Sequence, residues 1–201
     1  MPKHYKHIKS FLSSRETDFL VAKLRTEIPW RQVKYFKPER GYVITPRLTW
    51  VCGFHQKDHK PLLYPSGQEV LPNPIPPWLL ELKEALEVYL NESFNYVLFA
   101  NYRDERDSIA YHSDDEGFLG RNPCIASISV GGIKKFNLKN KTTKEVETFY
   151  LNNGDLFVMK ENCQKDYEHS VPKQKFSNQR FSLTFRNCLN EAGSKNYYKY
   201  N

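Results

Sequence analysis

Apolar residues recur along this chain with two different periods, and the change of period marks its elements. Leu20, Leu24 and Ile28 are spaced to share one helical face. Ser13 and Glu16 stand where a capping box would start that helix, and Pro29 stops it. A second helical stripe, Leu79, Leu82, Leu86 and Leu90, begins after Pro77, which suits a first helical turn, and ends near Asn91. Glu81, Glu84 and Glu87 are expected on its solvated face. The proline-rich stretch 71–77 reads as a stiff connector into it.

Elsewhere the period is two. Segment 30–49 reads as strand, turn, strand, with Pro38-Glu39-Arg40-Gly41 as the turn. An alternating run at 96–99 leads into a polar turn rich in Arg and Asp. Short strands follow at 125–130, 134–139, 146–151 and 156–159, punctuated by Gly131-Gly132 and by Asn152-Asn153-Gly154-Asp155. Segment 180–186 puts Arg180, Ser182, Thr184 and Arg186 on one face and Phe181, Leu183 and Phe185 on the other. The plain expectation for such a strand is a solvated polar face. Many short strands after two helices predict an α+β chain whose core is a sandwich or jelly roll. The expected organisation is a single domain over 1–201. A basic arm at 1–10 would carry exposed, mobile His4 and His7, and 190–201 would be a loose polar tail.

Composition adds a partner class. Lys and Arg exceed Asp and Glu by 30 − 23 = 7, a balance that favours an anionic partner such as nucleic acid, or only solubility. The 13 Tyr and 13 Phe could stack on bases where they lie among lysines and arginines, although most should fill the core. Four scattered cysteines, with no Cys-x-x-Cys pair, argue against a zinc site and for reduced thiols in an intracellular protein, nuclear or cytoplasmic. No apolar run reads as a signal peptide or a membrane span. A monomer is expected.

The candidate chemistry centres on Tyr111-His112-Ser113-Asp114-Asp115-Glu116. In extended backbone His112 and Asp114 point the same way and present two of the three ligands of a 2-His-1-carboxylate iron site. A lone His-x-Asp marks a solvated loop more often than a metal. A third ligand is available in His169, and the two arginines of 180–186 flank two hydroxyls, a set suited to a small dianion.

Taken together, these motifs resemble the AlkB-like Fe(II)/2-oxoglutarate-dependent dioxygenases, which are nucleic-acid demethylases. The matching residues are His-Ser-Asp-Asp-Glu at 112–116, His169, Leu-Thr-Phe-Arg at 183–186 with Arg180, Ile-Ala-Ser-Ile-Ser at 125–129 and Pro-Arg-Leu-Thr at 46–49. They keep the family's order and extend from about 30 to 189. The resemblance implies a double-stranded β-helix at about 94–189, braced by helices, with a substrate-recognition lid at about 30–70. It implies Fe(II) on His112, Asp114 and His169, with 2-oxoglutarate and O2 as cosubstrates. Arg180 and Tyr102 would hold the distal carboxylate, Arg186 would sit near the 1-carboxylate, and Thr184 between the arginines. The implied reaction is oxidative demethylation of N-alkylated bases in DNA or RNA. The same chemistry on an RNA modification or a protein side chain stays open, as does a catalytically silent nucleic-acid-binding module.

On the substrate side the resemblance offers Arg47 for a phosphate or as a brace of the lid, Trp50 and Tyr64 for the base pocket, and Asp115 to hydrogen-bond the base. Glu116 would support the loop. Tyr35 and Phe36, near the turn of the hairpin among Lys34, Lys37 and Arg40, could wedge into a duplex. Two departures stand out. The family's Asn-x-Tyr, of which both residues contact 2-oxoglutarate, appears here as adjacent Asn101 and Tyr102, both offered for the cosubstrate, so that one is out of step or the strand bulges. Ser182 replaces an Asn between the arginines.

Overall fold

The computed structural model describes residues 4–37, 41–53, 62–64 and 69–189; the side chains of Tyr35, Lys37 and Leu63 lie outside that description, as do the turn 38–40 and the tail 190–201. In chain order β1 (Tyr5–Ile8) precedes helix α1 (Ser14–Thr26), and β2 (Arg31–Lys37) and β3 (Gly41–Gly53) form the predicted hairpin. Two-residue strands β4 (Leu62–Leu63) and β5 (Glu69–Val70) come before helix α2 (Pro77–Leu90). Then follow β6 (Tyr96–Tyr102), β7 (Ile109–His112), β8 (Ile125–Gly131), β9 (Lys134–Asn140), β10 (Val146–Leu151) and β11 (Leu156–Met159). The short helix α3 (Cys163–Asp166) leads into β12 (Tyr167–Val171), and β13 (Arg180–Arg186) closes the described core.

The strands assemble into a seven-stranded major sheet, β1-β11-β8-β13-β6-β3-β2, and a four-stranded minor sheet, β10-β9-β12-β7. Two apolar clusters show how they pack. Leu20 and Leu24 of α1 and Leu79 and Leu86 of α2 are buried against Val97, Phe99, Ile128, Leu156, Phe181, Leu183 and Phe185 of the major sheet. On its other face Tyr96, Ala100, Tyr102, Phe157 and Met159 meet Phe136, Leu138, Leu151 and Val171 from the minor sheet and its flanks. The central strands of the major sheet are therefore covered on both sides. This overturns the expectation of a solvated polar face on β13: Arg180, Ser182 and Arg186 are buried, facing the space between the sheets.

Local signals fixed both helices. Ser13 accepts from the Glu16 amide while the Glu16 carboxylate takes the Ser13 amide, a complete capping box that satisfies donors the helix itself cannot. Pro77 starts α2, and Asn91 ends it in the left-handed conformation that Asn tolerates. Glu87 departs from the solvated-face expectation. It is half-buried, bridges to Lys83 at 2.9 Å and accepts the Phe94 amide at 2.7 Å, which ties the end of α2 to the start of β6.

From residue 4 onward the N-terminal segment is also not the mobile arm expected. β1 pairs antiparallel with β11 at the edge of the major sheet. His7 Nε2 lies 2.8 Å from the buried Asp155 and His4 Nδ1 lies 2.7 Å from Glu161. No described helix is long and apolar enough to cross a membrane.

Candidate metal and cosubstrate site

Between the sheets lies a pocket lined by side chains from β3, β6, β7, β8, β9, β11, β12 and β13 and by Asp114 just beyond β7. Antiparallel pairing of β12 with β7 puts His169 directly opposite His112. Their ring centroids are 4.2 Å apart. After His112 the chain leaves the strand, so Asp114 arrives not by strand alternation but by loop contacts. The Ser113 hydroxyl donates to the Tyr167 carbonyl at 2.9 Å, and the Asp114 amide donates to Gln164 Oε1 at 2.8 Å. Both anchors lie on α3 and β12, beside His169. The ligand atoms offered by His112, Asp114 and His169 all fall within 4.8 Å of one another.

Electrostatics favours the ligating forms. His112 Nδ1 donates to the Ala110 carbonyl at 2.9 Å, which leaves the Nε2 lone pair for the pocket. Burial lowers the pKa of His112, and burial with the neighbouring His112 takes His169 down to about 3, so both rings are neutral. Burial opposes ionisation of Asp114, but the Arg186 guanidinium outweighs it and holds the carboxyl at about 2. Arg186 Nη2 sits 2.8 Å from Asp114 Oδ2. Next to this pair the Glu116 carboxyl is raised to about 7, chiefly by burial and partly offset by Arg186.

The other end of the pocket is unbalanced. Arg180 is 2 % exposed, yet its described hydrogen bonds go to hydroxyls, those of Ser129 at 2.7 Å, Ser182 at 3.5 Å and Tyr102. Among the described residues its Nε has no partner, and neither has the buried Nε of Arg47 or of Arg186. Three guanidiniums therefore line a pocket in which, among the described residues, Asp114 is the only lining carboxylate. A buried cation facing neutral hydroxyls is costly unless an anion completes it.

The remaining predicted residues separate by face. Register between β6 and β13 is continuous from Tyr96 to Tyr102, so β6 has no bulge there. Leu98, Ala100 and Tyr102 face the pocket, and Asn101 points away, where its Oδ1 accepts from Gln179 at 3.2 Å. Assigning Asn101 to the cosubstrate is thus corrected: Ala100, two residues before Tyr102, takes the place beside Ser182, its cross-strand partner. Tyr102 and Thr184 do line the pocket, and the Tyr102 ring lies 5.4 Å from the Arg180 guanidinium carbon. Arg47 reaches the pocket from β3. Trp50 does not: it packs edge-on against Phe99 at 5.3 Å, in the core under the helices. Tyr64 is hydrogen-bonded to Tyr96 at 2.7 Å and packs on Phe118, behind the lining of the pocket. Asp115 is half-buried next to the triad, its pKa raised by burial.

The hairpin aromatics also rearrange. Phe36 is paired with Tyr42, the rings meet edge-on at 5.4 Å, and both are exposed. Lys34 Nζ lies 4.4 Å from the centroid of Tyr42. The described exposed pair is Phe36 with Tyr42, its cross-strand partner, which sequence reading missed because the partner lies across the turn; the expected role of the Tyr35 side chain lies outside the described residues. Gln164, Ser129 and Lys134 were missed as well; nothing local marks a buried polar side chain whose partner is distant in sequence.

The comparisons with known proteins agree with this geometry. The profile of the 2OG-Fe(II) oxygenase superfamily matches residues 4–186. The chain belongs to that superfamily. Within it the chain is AlkB-like: it is 36% identical over 187 residues to "Alpha-ketoglutarate-dependent dioxygenase alkB homolog 3" of Bos taurus, covering 88% of this chain and 63% of that relative. It is 32% identical over 133 residues to "DNA oxidative demethylase ALKBH2" of Bos taurus, covering 62% of this chain and 48% of that protein. The chain thus spans less than two thirds of the length of either. The solved structure of OsALKBH1 superposes with a TM-score of 0.62 at 15% identity, over 93% of this chain and 99% of that one, a likeness of fold.

The residues of this superfamily member fit its cofactors. Two neutral imidazoles and one ionised carboxylate within ligand distance are the donor set of a non-haem Fe(II) site. The incompletely partnered Arg180 fits one carboxylate of 2-oxoglutarate. Face separation gives a first expected outcome. Trp50→Ala should lower stability by about 3 kcal/mol through lost core packing. It should leave the 2-oxoglutarate dissociation constant unchanged. Denaturant unfolding beside cosubstrate titration checks this.

Proposed function

We propose that the chain catalyses Fe(II)- and 2-oxoglutarate-dependent oxidative demethylation of N-alkylated bases in nucleic acid. The observation that carries this reading is the pairing of a closed His112–Asp114–His169 cluster with an anion-deficient arginine pocket at its side. The name of the ALKBH2 relative, a DNA oxidative demethylase, and a formal charge of +7 support nucleic acid as the substrate class. The intact triad favours an enzyme over a silent binding module.

Iron with 2-oxoglutarate and O2, when bound, supplies the oxidation of a carbon–hydrogen bond next to nitrogen, with succinate and CO2 as coproducts. The chain's own residues prepare it. His112, Asp114 and His169 would hold the metal, and Arg186 keeps Asp114 ionised and oriented. Arg180 would take the distal carboxylate, set by Ser129, Ser182 and the face of Tyr102. Thr184, between the arginines, lines the pocket that would take the cosubstrate. Arg47 would meet the substrate at the pocket, and Asp115 would hydrogen-bond the base. The oxidised N-alkyl group then breaks down to an aldehyde and the restored base. A base must leave its stack to reach the pocket, and a lesion that weakens pairing lowers that cost. Competition of succinate formation by DNA, RNA and peptide pools tests the substrate class; peptide competition alone would overturn nucleic acid.

The exposed Phe36–Tyr42 pair gives a second expected outcome. Replacing both with Ala should reduce activity on a methylated base in duplex by about tenfold, and spare the same base in a single strand, where little unstacking is needed. Parallel assays on the two substrates check it. Equal loss on both would make the hairpin a general binding surface, with Lys34 supplying salt-sensitive phosphate contact.

A further inference from the structure

We propose that Arg103, locked onto Asp107, is a positioning residue that latches strand β3 to the loop before the metal strand β7 and so holds Arg47 over the pocket. The inference rests on the proposed function for what Arg47 does, but not for the latch itself.

The ladder between β2 and β3 breaks where Val33 stands opposite Thr45, Pro46 and Arg47 together. Pro46 has no amide hydrogen to donate, and an irregularity of this kind re-aims the following side chain. Strand pairing therefore does not hold this segment; side chains do. Gln32 Nε2 donates to the Thr45 carbonyl at 2.8 Å, and Arg103 Nη2 donates to the Pro46 carbonyl at 2.6 Å. Arg103 is itself immobilised. Its backbone amide, Nε and Nη2 reach the Asp107 carboxylate at 2.9, 2.8 and 2.9 Å. Asp107 is 2 % exposed.

The loop is pinned from below as well. Lys134, fully buried, donates its ammonium to the carbonyls of Asp104 at 2.7 Å and Asp107 at 3.3 Å. One chain of contacts thus runs from the wall of the cosubstrate pocket through Lys134, Asp107 and Arg103 to the carbonyl that precedes Arg47. Arg47 brings to the pocket a buried Nε with no partner among the described residues, so its aim is set from outside by the segment that carries it. A lysine at 103 keeps the charge but cannot bridge two acceptors with a rigid fork.

The test uses Arg103→Lys in the full chain, a change at a partly exposed side chain that leaves the core intact. Amide hydrogen exchange is expected to accelerate at 44–48 and to stay unchanged at 96–102. The KM for a methylated oligonucleotide is expected to rise about tenfold while kcat and the 2-oxoglutarate dissociation constant, measured with a redox-inert divalent metal, stay within about twofold. On an Arg47→Ala background the same substitution should add nothing further, because the latch acts through Arg47. Unchanged exchange at 44–48, or KM effects that simply add, would overturn the latch. If wild-type protein demethylates no oligonucleotide, the functional reading fails, and the exchange data still decide the latch. Asp107→Asn, which removes the charge at constant volume, is the second variant and should reproduce the exchange pattern.

Discussion

Asp114→Ala is expected to lower turnover by at least about 100-fold and also to destabilise the fold. The activity loss follows from removing one of three protein ligands together with the group that orients them. The stability loss follows from Arg186, which is 3 % exposed and would lose the carboxylate 2.8 Å away. Leaving one member of a buried pair uncompensated costs about 3–5 kcal/mol. Asp114 is itself 2 % exposed, so its loss reaches the fold as well as the site. Asp114→Asn keeps the volume and should still fail to support turnover. Thermal unfolding and an iron titration of both variants check the outcome. Wild-type activity in either under limiting iron would remove the triad assignment.

Arg180→Ala is expected to raise the 2-oxoglutarate KM far more than the oligonucleotide KM. A charge-assisted pair lost from a buried site costs about 2–5 kcal/mol, and much of that is the stranded partner. At about 1.4 kcal/mol per factor of ten, the KM should rise by roughly 30-fold or more. Arg180→Lys should recover part of this, since a point charge cannot replace the fork set by Ser129 and Tyr102. Steady-state kinetics with each substrate varied in turn check it. An unchanged cosubstrate KM would mean that the anion sits elsewhere, with Arg47 as the next candidate.

Legibility followed the range of the interactions. Ser13, Pro77 and Asn91 announced the helix ends because capping is settled within a few residues. The two faces of β13 were legible because strand alternation is strict, and Phe181, Leu183 and Phe185 do turn to the helices. Which face meets water was not legible, since a sheet covered on both sides breaks the rule that polar means exposed. The same limit misplaced Trp50 and Asn101, whose faces depend on which neighbour covers the strand. β1 carries too few apolar residues to announce itself, and it is held by its pairing with β11. The triad was legible as residue types, but its closeness is a product of β12 lying beside β7 and of Gln164 holding Asp114, contacts 50 or more residues apart.

The most direct test of the account is mass spectrometry of an oligonucleotide carrying one N-methylated base, incubated with the protein, Fe(II), 2-oxoglutarate and air. The account predicts loss of one CH2 from the base, with one formaldehyde and one succinate formed per lesion. It predicts no loss with His169→Ala or without 2-oxoglutarate. An unaltered methylated base across a panel of lesions in DNA and RNA, from protein that binds iron and turns over 2-oxoglutarate, would contradict it.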